Sequence, residues 1–224
     1  MRPIERGKSP NSYHEYQDAR GDLINRLGEY CSYCEMHLDS ALAVEHILPK
    51  NKCPEMEREW TNFLLACPNC NSTKGDKLIG RNECYWPDLD NTVRAFEYQI
   101  GGQISPHPGL TAVEKSKAQK TIELTGLNYN PGNAVTAADR RWINRKEAWD
   151  IAADSLDNLH SNDTPYMRRQ IVETAKALGY WSIWMTVFYA DKDILKRLIE
   201  AFPGTCDDCF DANFDLCQRP GGQL

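Results

Sequence analysis

The residues able to do chemistry gather between positions 31 and 75. Two Cys-x-x-Cys pairs stand there, Cys31/Cys34 and Cys67/Cys70, with Cys53 the one other cysteine between them. Each pair sets two thiolates on one tight turn, and two such turns complete a tetrahedral zinc site with Zn–S of about 2.3 Å. The gap is longer than a compact zinc ribbon needs, so a segment is looped out. That segment carries Glu45-His46 and Asn62, and Asn71 directly follows Cys70. A histidine, with an ordinary pKa of about 6.5, suits general-base work at neutral pH. Glu45 and Asn71 offer a sparse set of oxygen donors that leaves room for waters and a phosphate oxygen, which suits Mg²⁺ or Mn²⁺ better than Zn²⁺. An activated water, a cation at the phosphate and help for the leaving oxygen are what phosphodiester hydrolysis requires. If Glu45-His46 is extended, its two side chains point to opposite faces, and a turn or hairpin must bring them to one site. Lys50, Lys52, Lys74 and Lys77 are either phosphate contacts or ordinary solvated lysines.

These residues need elements to hold them. The spacing of Tyr13, Tyr16, Leu23, Ile24 and Leu27 predicts a helix over 11–28, stopped by Gly28. Leu42-Ala43-Val44 reads as a strand leading into Glu45-His46, and Phe63-Leu64-Leu65-Ala66 as an apolar run entering the second knuckle. A short helix is expected from Asn71. Residues 82–110, rich in Gly and Pro, read as loops around one strand from Val93 to Ile100. Helices follow over Thr111–Thr125, with a capping box at Thr111 and Glu114, then Thr136–Leu159, Pro165–Leu178, Tyr180–Ala190 and Asp191–Phe202. Five segments result: an N-terminal helical segment (1–29), a core (30–81), a connector (82–110), a helical region (111–205) and a Cys-, Asp- and Gly-rich tail (206–224). The aromatic cluster of Trp142, Trp149, Tyr166, Tyr180, Trp181, Trp184, Phe188 and Tyr189 is expected to be mostly core.

The run Cys31-Ser32-Tyr33-Cys34, then Val44-Glu45-His46-Ile47-Leu48-Pro49-Lys50, then Trp60-Thr61-Asn62-Phe63, then Cys67-Pro68-Asn69-Cys70-Asn71-Ser72-Thr73-Lys74-Gly75 resembles the HNH endonucleases of the four-cysteine zinc type. The resemblance covers about a fifth of the chain. It implies an α+β, mostly α-helical protein, with a ββα-metal nuclease core stabilised by a four-cysteine zinc site between an N-terminal helix and a helical C-terminal half. It further implies His46 as the base, Glu45 and Asn71 as ligands of the catalytic metal, Asn62 as a brace for the loop, and DNA as the substrate. Glu45 stands where many members have Asp, and Asn71 where others have His. Met1-Arg2-Pro3-Ile4, Gly7-Lys8-Ser9-Pro10 and Phe202-Pro203-Gly204-Thr205 extend the likeness to the HNH subunits of Septu (PtuB-like) anti-phage systems, also found beside retrons. That likeness implies a partner ATPase of the ABC/SMC-like type and an oligomeric complex. A different class remains in view: a zinc-stabilised adaptor for nucleic acid or protein, without catalysis. Such an adaptor has no need to keep Glu45, His46, Asn62 and Asn71 together.

The 224 residues carry 26 Lys+Arg against 32 Asp+Glu, a net charge of −6. The excess acid is local. Residues 150–224 hold seven bases against twelve acids, while 111–149 hold seven against four. A nuclease with no large basic surface binds DNA weakly alone, which favours a partner that grips or regulates. The apolar, uncharged stretch Ala177–Ala190 is 14 residues, short of the roughly 20 that cross a bilayer. No apolar segment of the kind that directs secretion opens the sequence, and a cytoplasmic protein with reduced thiols is expected. Cys206, Cys209 and Cys217 read as free thiols of the tail, or as part of a second zinc site with Cys84 or His107 as fourth ligand.

Overall fold

A computed structural model describes residues 1–130, 132–133 and 138–224. Its first elements build a small frame around the motif. Helix α1 (Arg20–Leu27) precedes strands β1 (Ala43–His46) and β2 (Phe63–Ala66), which pair antiparallel and lead into helix α2 (Pro68–Lys74). The pairing sets Val44 against Leu65, Glu45 against Leu64 and His46 against Phe63. Helix α2 starts cleanly because Cys67 caps it, its sulfur accepting the Cys70 N–H, and Pro68 opens the first turn.

The rest of the chain wraps this unit. Helix α3 (Thr92–Ala95) runs into a hairpin of β3 (Phe96–Gln99) and β4 (Gln103–Pro106). Helices α4 (Ala112–Thr125), α5 (Arg141–Ser161), α6 (Pro165–Leu178), α7 (Trp181–Val187) and α8 (Lys192–Ala201) follow. The capping box at Thr111 and Glu114 forms as expected. The expected helix start at Thr136 lies outside the described residues, and because residues 138–140 are not helical, α5 begins later, at Arg141. One continuous buried cluster runs through all five sequence segments, from Met1 and Leu23 through Phe63, Trp86, Trp181 and Trp184 to Leu224. Tyr180, Trp181, Trp184 and Phe188 are buried, whereas Tyr166 and Tyr189 stand in solvent.

Two elements differ from expectation. The first helix does not begin at residue 11. Asn11 and Tyr13 both donate to Asp22, and the Tyr13 ring stacks on Trp60, so this stretch folds back along α1. A single 3₁₀ turn at Tyr16–Ala19 then enters α1. The expected strand over Val93–Ile100 is a helical turn followed by a hairpin, because the three residues between the paired Gln99 and Gln103 include Gly101 and Gly102, which both take positive φ, 85° and 78°, a conformation open to glycine. A Cβ on Gly102 would come within 2.8 Å of the Lys146 backbone nitrogen, so the hairpin tip seats directly on α5.

Candidate active site between the cysteine knuckles

The four thiols of Cys31, Cys34, Cys67 and Cys70 lie within 4.8 Å of one another and are all buried. The Cys34 and Cys67 sulfurs are 3.7 Å apart, against an edge of about 3.8 Å for a tetrahedron with Zn–S of 2.3 Å. The cluster therefore has the size and donor chemistry of a structural zinc site. Three contacts fix it to its neighbours. Ser32 N–H donates to the Leu65 carbonyl, joining the first knuckle to β2. Glu35 takes a positive φ of 66° just after Cys34, a conformation costly for a residue with a Cβ. Its carboxylate accepts from the Ser182 N–H and hydroxyl, which ties the turn to α7. Arg141 donates to the Cys70 sulfur at 3.1 Å and to the Thr125 carbonyl at 2.7 Å, while its other nitrogens grip Asp139.

His46 ends β1, packed by the Phe63 ring (centroids 5.4 Å) and the Tyr16 ring (4.7 Å). Its Nε2 lies 2.8 Å from the Glu57 carbonyl oxygen. A carbonyl only accepts, so Nε2 carries the proton and Nδ1 is the bare, basic nitrogen. Burial lowers the His46 pKa, against the opposing pull of the Glu57 carbonyl, and nearby Lys50 adds to the lowering. The ring is thus held neutral at physiological pH, the state that a general base needs.

Asn62 stands behind this histidine, 1% exposed. It accepts from Leu48 N–H at 2.7 Å and donates to the Leu48 and Met56 carbonyls at 2.9 and 3.0 Å. These bonds pin both ends of the segment that carries the Glu57 carbonyl. Because β1 is extended, the Glu45 side chain leaves the face opposite His46. It is 4% exposed, and burial pushes its carboxyl pKa up while Lys74 pulls it down. Its Oε1 lies 2.7 Å from Lys74 Nζ, yet no aligned hydrogen bond reaches that oxygen. A buried acceptor in this state fits a cation. Asn71, half-buried on α2, makes no side-chain hydrogen bond to another described residue, so its carboxamide is available as a neutral oxygen donor.

The four lysines separate. Lys50, Lys52 and Lys77 are exposed. The Lys50 ammonium sits 4.1 Å from the centre of the Tyr16 ring, and Lys77 donates to the Thr73 carbonyl. Lys74 differs from the expectation: it is 0% exposed and cannot meet a phosphate from solvent. It follows Cys70 by one helical turn, so it shares the face of α2 that turns inward. There it donates to the His46 carbonyl at 2.6 Å and faces Glu45.

Of the tail thiols, Cys206 and Cys209 lie against each other, but no third ligand among the described residues joins them within 4.8 Å. Among the described residues the four-cysteine cluster is the one group of three or more such ligands within 4.8 Å. Cys217 turns its thiol to the Asp208 carbonyl. Cys84 lies buried beside Thr121, and His107 Nδ1 accepts from the Gly109 N–H, so neither reaches across to complete a site. Three contributors went unread in the sequence. Tyr16 lies outside the motif, the Glu57 carbonyl has no side-chain signature, and Arg141 comes 71 positions after the cysteine it serves.

A paired-strand and helix unit on a four-cysteine cluster, with a histidine whose Nδ1 is bare, defines the HNH endonuclease class, and residues 31–77 match the HNH endonuclease family. Beyond the motif, the chain is 32% identical over 180 residues to the Septu protein PtuB of Bacillus thuringiensis, covering 78% of this chain and 69% of that protein. It is also 28% identical over 132 residues to a retron Vc95 protein of Vibrio cholerae serotype O1 biovar El Tor named for the same endonuclease family; 52% of this chain and 62% of that protein are covered. The chain belongs to the family of the Septu protein PtuB. No helix among the described residues is long and apolar enough to cross a membrane.

Proposed function

We propose that this protein is a metal-dependent endonuclease that hydrolyses DNA phosphodiester bonds as the nuclease effector of an anti-phage defence system, working with a partner ATPase. The observation that carries the catalytic reading is the Nε2 contact of His46 with the Glu57 carbonyl, which leaves Nδ1 to take a proton from the attacking water. Asn62 holds the loop that makes that contact. Glu45 and Asn71 are the residues that would hold Mg²⁺ or Mn²⁺. Such an ion supplies charge at the scissile phosphate and stabilises the leaving oxygen. Lys50, Lys52 and Lys77 are exposed cations at the motif that would contact the DNA backbone. The zinc cluster is structural: its four ligands are protein thiols, leaving no open position.

The defence role and the ATPase partner rest on likeness to the Septu and retron proteins. The acidic residues 150–224 are the candidate surface for that partner. The test is cleavage of plasmid and linear DNA by the purified protein, alone and with the ATPase encoded beside it, in Mg²⁺ or Mn²⁺ and in EDTA. His46→Ala should abolish cleavage at unchanged zinc content and circular dichroism. Full activity in His46→Ala overturns the assignment of the base, and cleavage insensitive to EDTA overturns the metal dependence.

A further inference from the structure

The charge on Glu45 is already answered before any divalent ion arrives. Lys74 Nζ lies 2.7 Å from Glu45 Oε1 and donates to the His46 carbonyl at 2.6 Å, with both side chains shut away from solvent. The same helix α2 places Asn71 three positions earlier, the other oxygen donor of the proposed metal site. One ammonium thus touches the metal-ligating carboxylate and the backbone of the base. It donates to the His46 carbonyl and meets the Glu45 carboxylate at ion-pair distance.

We propose that Lys74 is the resident counter-ion of the Glu45 site and sets its affinity for divalent metal: the lysine neutralises the carboxylate in the metal-free protein, and metal binding works against its positive charge. The inference rests on the reading of Glu45 as a metal ligand. Its physical content is a cost and a benefit from one residue. With Lys74 present, the metal-free fold carries no uncompensated charge at Glu45 and gains little stability on binding metal. With Lys74 neutral, a buried carboxylate stands alone, and a divalent ion becomes the cation that restores it.

The experiment is Mn²⁺ titration of the zinc-loaded full chain, read by thermal unfolding and by calorimetry, in the wild type, Lys74→Met, Lys74→Gln and Glu45→Gln. Both Lys74 variants should unfold earlier than the wild type without Mn²⁺, gain a larger upward shift in Tm with it, and bind it at least about tenfold more tightly, since a unit charge a few ångströms away has been removed. Glu45→Gln should lose the response. Should neither Lys74 variant fold alone, folding of either on adding Mn²⁺ supports the proposal, and failure to fold even with Mn²⁺ overturns it. Equal Mn²⁺ affinity and Tm shift in the wild type and both Lys74 variants overturns the role of Lys74 while leaving the metal site standing. A wild-type response that survives Glu45→Gln, or no response in any chain, removes the metal site at Glu45 and this inference with it, whereas the nuclease reading is judged separately by EDTA-sensitive cleavage.

Discussion

Arg141 should hold the zinc cluster to the C-terminal helices, and its replacement by Met measures how strongly. The guanidinium is 2% exposed in its side chain and its partner Asp139 6%. It makes two bonds to Asp139 at 2.9 and 2.7 Å, one to the Thr125 carbonyl and one to the Cys70 sulfur. Met fills much of the same volume but takes the guanidinium away from a helix-end carbonyl, a thiolate and the Asp139 carboxylate, which keeps only the residue-141 backbone N–H and a long contact from Asn69. Removing one partner of a buried ion pair costs about 3–5 kcal/mol, and the lost bond to Thr125 adds about 1 kcal/mol. Against a total stability of about 5–15 kcal/mol, this is a large fraction. Arg141→Lys keeps the charge but not the planar fork, and should fall between. Urea unfolding of zinc-loaded protein reads the stability, and transfer of zinc to a coloured chelator reads the grip on the metal. Arg141→Met should lower stability by about 4–6 kcal/mol and hasten zinc transfer at least tenfold. A loss under about 1 kcal/mol, within the range of an ordinary surface change, together with unchanged zinc transfer, refutes the reasoning.

Two further outcomes follow from the same structure. The acid limb of kcat/KM against pH should fall below the ordinary histidine value of about 6.5, because burial lowers the His46 pKa and the base must be neutral to act; a limb centred above that value contradicts the assignment. Asp88, buried between Arg6 and Arg81, is pushed up by burial but held below the usual carboxylate range by the two guanidinium groups. Its contribution to stability is therefore fully present above about pH 4, the ordinary Asp value, and is lost as the pH falls through the lower folded value. The stability gap between wild type and Asp88→Asn should be constant near neutrality and narrow below about pH 4, and a gap that widens on acidification is the opposite result.

The motif was legible because its chemistry is local in sequence. Cysteine spacing announces a metal cluster without knowledge of the fold, and Glu45-His46, Asn62 and Asn71 fall at marked places relative to it. Lys74 was not legible, since a lysine beside a phosphate-handling motif is equally at home in solvent; only the approach of β1 to α2 turns it inward. Tyr16 and Arg141 act on the site across large sequence separations, where no spacing rule applies. The hairpin at Gly101-Gly102 did leave a sign, a glycine pair, but the alternation of Phe96, Tyr98 and Ile100 runs straight into it and reads as a single strand. Spacing alone extends the N-terminal helix too far, because Tyr13 lies on a helical repeat yet packs its ring on Trp60.

The contact between Cys70 and Arg141 also has a direction in time. It closes a separation of 71 residues, and chains are made from the N-terminus at about 5–20 residues per second. The knuckles, β1, β2 and α2 therefore leave the ribosome seconds before the arginine that locks them. During that interval the nascent motif has its cysteines and its histidine but not its clasp, nor the Ser182 hydroxyl that holds Glu35 in its strained turn. Completion of the nuclease frame is thereby deferred until most of the polypeptide has been synthesised.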